Sequence, residues 1–288
     1  MRHPATGRAC RIPNMSSLVS KSRPSRPGAV ARARTGLHDR SLPAIFGEQL
    51  AALYALVERS QFTFGSPLGP FTAQGHSFHL PRFVYFGPHT SDASLRLAFT
   101  AGLDHRDLRS TLALLQLIEQ LALKPDIGQG LNLSFFPLVD VLGLAGLSAG
   151  RGLNSAHWGR STEPEIQLLE QDARLSSYHG FVRLESVRGQ DVATVQLRFA
   201  PSDHATPEVE LISSEDFEPY PVRWEAGSGL PPTDGPLSVA DDLPVRPFEL
   251  TLRLPAAWSA ELYREATATI LKRFIIRYRG FIAYGQHL

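Results

Sequence analysis

Apolar residues recur at three- and four-residue spacing through Ile45, Phe46, Leu50, Leu53, Tyr54 and Val57. This predicts an amphipathic helix opened by Ser41 and Pro43. The same spacing in Leu112, Leu115, Ile118, Leu121 and Leu123 predicts a helix over 108–123, and another is read at 92–101. Glu163–Leu175 reads as a helix, and a last one runs from a Ser259 cap to about Tyr278. Compact apolar runs between them predict strands. They fall near 61–64, 71–79 and 83–86, at Leu131–Phe136 (stopped by Pro137), Phe181–Glu185, Val192–Phe199 and Phe248–Leu252. A short strand near 207–213 lies within a stretch, 200–246, rich in Pro, Gly, Ser and acids. Strands alternating with helices predict an α/β fold, a three-layer α/β/α sandwich with a central mixed, mostly parallel sheet. Open sheets of this kind bind ligands beyond the carboxyl ends of their strands. The segments after Phe86, Phe136, Phe181–Leu184 and Leu252 are therefore expected to meet in one crevice.

The chain has 288 residues, 43% of them hydrophobic, enough for one large core. The single Cys10 excludes an internal disulfide framework and a Cys-based zinc cluster. No run approaches the roughly 18–20 apolar residues of a membrane span. Residues 1–40 carry charge without the apolar stretch of a secretory signal. A cytoplasmic protein that does not engage a membrane is expected. The net charge of +1 hides an asymmetry: residues 1–38 hold eight Lys or Arg and no acid, so the remainder is acidic. An acidic body is a poor partner for a phosphate backbone, and no nucleic acid is expected. The division predicted is a disordered basic tail over 1–40 and one domain over 41–288. The oligomeric state is not readable.

The chemistry begins at Phe83-Val84-Tyr85-Phe86-Gly87-Pro88-His89-Thr90-Ser91-Asp92, an apolar strand running into a Gly-Pro turn. His89 and Asp92, three apart at the mouth of the helix predicted next, suit two ligands of one metal ion. Further on stand Gly152-Leu153-Asn154-Ser155, Leu184-Glu185-Ser186 and Leu250-Thr251-Leu252-Arg253-Leu254-Pro255. In order and placement these segments, over about 80–275, resemble the zinc carboxypeptidase family and its desuccinylase- and aspartoacylase-like relatives. There a strand ends in His-x-x-Glu, which supplies two zinc ligands, and a later Leu-His-Ser supplies the third. An Asn-Arg pair grips a substrate carboxylate, and Leu-Thr-x-Glu-x-Pro carries the catalytic Glu. The resemblance implies metal ligands at His89, Asp92 and Glu185 and substrate binding at Asn154 and Ser155. It also puts Arg253 at the catalytic position.

Four departures follow. Asp stands for Glu at 92, Ser for Arg at 155, Glu for His at 185 and Arg for Glu at 253. A guanidinium about 5 Å from a divalent ion, at an effective dielectric of ~20, is repelled by roughly 6 to 7 kcal/mol. Arg253 is also permanently protonated and cannot serve as a base. Glu249 points to the same face of its strand but lies roughly 13 Å further back, a distant substitute. These substitutions imply a degenerate protein without peptidase activity that keeps a ligand- or partner-binding crevice. Arg253 would stand in for the metal between Asp92 and Glu185. Two alternatives remain open. One is an active metal-dependent carboxypeptidase or N-acyl amidohydrolase, with zinc or manganese and a small peptide or N-acyl amino acid as partner. The other is an interaction protein that works through its basic tail. Gly146-Leu147-Ser148-Ala149-Gly150 matches a nucleophile elbow in spelling, but no helix is predicted directly after it, so it reads as a loop. His157-Trp158 and Tyr178-His179 read as packing, and no metal role is expected for His76 and His79.

Overall fold

A computed structural model of the chain describes residues 42–91, 94–148, 152–153, 157–200, 218–226 and 234–285. The predicted tail, the strand near 207–213, and Asp92, Asn154 and Ser155 lie outside these residues. Eight strands form one twisted sheet. In chain order they include β1 (Thr63–Gly65), β4 (Phe83–Phe86), β5 (Leu95–Thr100) and β6 (Leu131–Phe136). The rest are β7 (Gly180–Val187), β8 (Ala193–Phe199), β9 (Val222–Ala226) and β10 (Phe248–Pro255). Strands β2 (Leu68–Ala73) and β3 (His76–Leu80) make a separate hairpin, turned by Gln74 and Gly75 at positive φ.

The order across the sheet is β1-β4-β6-β5-β7-β10-β8-β9. Strands β6, β5, β7 and β10 run parallel, while β4 on one flank and β8 on the other run against them. The expected mixed α/β sheet is thus present, with a parallel centre and reversed flanks. The helices are α1 (Leu42–Val57), α2 (Leu108–Leu123), the single turn α3 (Val141–Leu144), α4 (Pro164–Ser176) and α5 (Ala260–Gly285).

Alternation along the central strands divides the interior into two layers. Leu97 and Phe99, Val182 and Leu184, and Leu250, Leu252 and Leu254 turn toward α1, α2 and α5, forming the larger core. Ala98 and Phe181 face the opposite side, with Ile166, Leu169 and Ala173 of α4 and with Trp158. On this second face the ends of β7 and β10 carry charges in place of apolar side chains: Arg183, Glu185, Glu249 and Arg253. Among the described residues no helix is long and apolar enough to cross a membrane.

One predicted element is corrected here. Residues 92–101 were expected to be helical, but Leu95–Thr100 is the central strand β5. In the strand, Leu95, Leu97 and Phe99 share one face and bury there. The strand also pairs with neighbours on both sides, which an isolated helix in this place could not do.

Candidate functional site

The site is set by which strand ends coincide. Strand β4 is antiparallel to β6, so Phe86 sits opposite Asn132, and Gly87 N–H donates to Leu131 O at 2.9 Å. The turn after Phe86 therefore lies at the amino end of the parallel strands. His89, exposed and with φ 60°, belongs to that end. Glu185 and Arg253 lie at the other. From the level of Leu97 opposite Gly180, Glu185 is five residues further along β7, about 17 Å at a strand rise of ~3.3 Å. The structure does not bring His89 together with Glu185, because a reversed strand delivers its C-terminal turn to the wrong end of the sheet.

The segment that does reach the crevice follows β5. Ala101 and Gly102 turn the chain, and Asp104-His105-Arg106-Asp107 runs straight into α2. Asp107 caps that helix, accepting from Ser110 N at 3.3 Å and from Ser110 Oγ at 2.8 Å. It also accepts from Ser186 N on β7 at 2.7 Å. Burial, with Glu185 nearby, pushes its carboxyl above the usual range. Asp104 takes the Arg106 Nε at 2.8 Å, and this ion pair, the largest cause, pulls its carboxyl below the usual range. Gly152 packs against it so closely that a Cβ there would lie 2.7 Å from Asp104 Cα.

His105 points elsewhere. Its Nδ1 lies 2.6 Å from Asp140 Oδ2, an oxygen that also accepts from His105 N at 3.0 Å. The other Asp140 oxygen accepts from Gly143 N at 2.8 Å, and Asp140 is only 1% exposed. Any Cβ on Gly143 would collide with both His105 Nδ1 and the Asp140 carboxylate. Glycine is the residue that lets this dyad close. Asp104, His105 and Asp140 each offer one ligand atom within 4.8 Å of the others.

Glu185 and Arg253 face each other across the β7–β10 pairing. Arg253 Nε bonds Glu185 Oε2 at 3.1 Å and its NH1 bonds Glu225 Oε2 at 3.0 Å. Arg183 NH2 holds the other Glu185 oxygen at 2.8 Å. Arg253 thus forks between two acids, Glu185 and Glu225 of β9, while Asp92, the partner expected beside Glu185, lies outside the described residues. Glu249 lies on the same face of β10 and is 1% exposed, with Arg198 NH2 2.5 Å from its Oε2. It is the second residue of β10, at the amino end of the strand and away from the end that carries Arg253, so it cannot replace the missing acid at 253.

Asp107 and Glu185 do not fit a metal ion as they stand. Both oxygens of each are engaged by donors of the protein, and a guanidinium fills the space a cation would need. The Asp104–His105–Asp140 group is a better donor set, one imidazole and two carboxylates. An ion there would have to displace Arg106 from Asp104. Tyr178 and Trp158, read as packing, are buried against Phe181. Tyr178 OH also donates to Asp172 Oδ2 at 2.6 Å, and His179 Nδ1 accepts from Arg96 N at 3.1 Å.

Asp104, Asp107 and Asp140 escaped sequence reasoning, although a signal was there. A period-two run ends at Ala101-Gly102, two acids follow at three-residue spacing, and a helix pattern begins at once. Reading 92–101 as a helix hid that strand end.

No family model and no curated protein matches the sequence. Solved structures do match the fold. A metallo-carboxypeptidase from Burkholderia cenocepacia has a TM-score of 0.64 at 13% identity, over 81% of this chain and 69% of its own. A candidate metallopeptidase from Shewanella baltica gives 0.59 at 15%, over 82% and 92%. An aspartoacylase family protein from Mesorhizobium loti gives 0.52 at 15%, over 75% and 66%. The chain has the fold of the metallo-carboxypeptidases and their aspartoacylase-like relatives.

Proposed function

We propose that this protein uses the carboxypeptidase fold to bind a ligand in the strand-end crevice and does not hydrolyse peptides there. The observation that carries the reading is the Arg253 fork on Glu185 and Glu225. On the resemblance read from the sequence, this built-in cation takes the position of the family's base. The strand-end turn that opens a helix beside β7 is Asp104–Asp107. Asp107 is spent on capping α2 and on holding Ser186. Among the described residues, Asp107, Glu185 and Glu225 at these strand ends are each already held by a donor of the protein, so none of the three is poised to take a proton from an attacking water.

The test is metal content. Protein purified without chelator and offered zinc or manganese should hold well under one equivalent by plasma mass spectrometry. One equivalent that disappears in Glu185→Ala would overturn the reading. The Asp104–His105–Asp140 group favours a second reading, an active amidohydrolase with a relocated ion. If a metal binds there, Asp104, Asp140 and the His105 imidazole would hold it, and it would supply Lewis-acid activation of water. One equivalent lost in His105→Ala, together with turnover of N-acyl amino acids, would select that reading.

A further inference from the structure

Behind the ion pairs, on the same face of the sheet, lies a small pocket of about 30 Å³. Leu103, Trp158, Ile166, Leu169 and Phe181 are among its walls, and its floor is polar, with Arg183 and Glu249. Among the described residues Glu249 Oε1 accepts no hydrogen bond, although the residue is almost wholly buried. Such an acceptor is expensive to leave unmade. The backbone keeps it open. Gly235 crosses above it at φ 67°, and a Cβ there would stand 3.2 Å from Oε1. A larger residue would cover the oxygen and close the floor.

We propose that this pocket is a ligand subsite for the end of an apolar segment that terminates in an alcohol, with Glu249 Oε1 accepting the hydroxyl proton. The inference rests on the ligand-binding reading of the crevice and names the group its floor recognises. Size selects a short end: the space takes about two water-sized groups, which matches a CH₂–OH. Charge selects a neutral one. Arg198 already bonds Glu249 Oε2, and the Arg183 NH1 stands 3.9 Å from Oε1. An ammonium at Oε1 would meet two guanidinium groups, and a carboxylate would meet the glutamate itself. A hydroxyl donates to Oε1 and adds no charge to the Arg253–Glu185–Arg183–Glu249–Arg198 chain.

The probe is 1-butanol, compared with its isomer methyl propyl ether, which keeps an oxygen but has no O–H. In nitrogen-15-labelled protein, the Trp158 indole and Gly235 amide signals should move saturably with butanol. The ether should bind at least about tenfold more weakly, the difference one hydrogen bond to a charged acceptor makes. Filling the pocket with Leu103→Phe, or from the opposite wall with Ile166→Phe, should abolish both responses while the urea midpoint reports an intact fold. Equal affinities, or no saturable shift, would overturn the proposal and leave the pocket to ordered water. So would a butanol response that survives in both filled variants. Metal content and turnover on the same samples separate the two readings. An active, metal-loaded protein that still prefers butanol would overturn the non-hydrolytic reading alone. A metal-free protein indifferent to butanol would overturn the subsite alone.

Discussion

Arg253 holds two carboxylates on opposite sides of β10, Glu185 on the adjacent β7 and Glu225 on β9, the latter reached across β8. Both pairs are partly exposed, with Arg253 at 25% and Glu185 at 16%, so solvent screens them. Arg253→Ala would leave Glu185 with Arg183 but strip Glu225 of its bond, and it should cost about 1–2 kcal/mol of unfolding free energy. A urea titration measures this directly, and an unchanged midpoint would mean water replaces the guanidinium at no cost. That Glu185 and Arg253 belong to one site was readable from the sequence because each sits inside a strand whose register the neighbouring apolar residues fix. Glu225 was not readable. Its strand lies in a stretch rich in Pro, Gly and acids, and only pairing with β8 makes Val222–Ala226 extended.

Among the elements, the long helices were legible, because tertiary packing asks for the face their sequence already displays. The helix predicted over 108–123 is α2, Leu108–Leu123, and the last helix begins directly after Ser259, as its cap implied. That cap is formed: Leu262 N donates to Ser259 Oγ at 3.1 Å. Ser259→Ala should therefore lower stability by about 1 kcal/mol, the usual value of a lost N-cap, as a shift in the thermal or urea midpoint. The failure at β5 has a physical cause too. Its second face is lined by Arg96, Ala98 and Thr100, and alanine and arginine are among the better helix formers. Six residues are also too few for either period to dominate. Only its two parallel neighbours decide the matter.

Among the described residues Asp140, Glu165, Asp172 and Glu249 are buried acids. Burial raises the carboxyls of Asp107, Glu165 and Glu249 above their ordinary values. For each, the folded state holds its proton more tightly than the unfolded chain. The stability this confers is full below the ordinary carboxylate value and is lost as pH rises through the raised one. Asp104 and His179, both lowered, act in the opposite sense: Asp104 below the ordinary carboxylate value, His179 below the ordinary imidazole value. Glu165→Gln isolates one contribution, since its Oε1 can still accept from Leu142 N. The stability difference, variant minus wild type, should grow as pH rises from about 4.5 toward neutrality. A flat difference across that range in urea titrations would show that Glu165 ionises in the folded protein as freely as in solution.

The layer order and the parallel centre of the sheet were legible because they follow from alternation alone. The ends at which side chains meet were not, because one reversed strand changes them without altering its composition. That reversal has a practical consequence. With β4 running against its neighbours, the one histidine that looks most like a metal ligand stands on the far rim of the sheet. His89→Ala is accordingly the negative control for every experiment on the crevice, and the informative substitutions begin at residue 104.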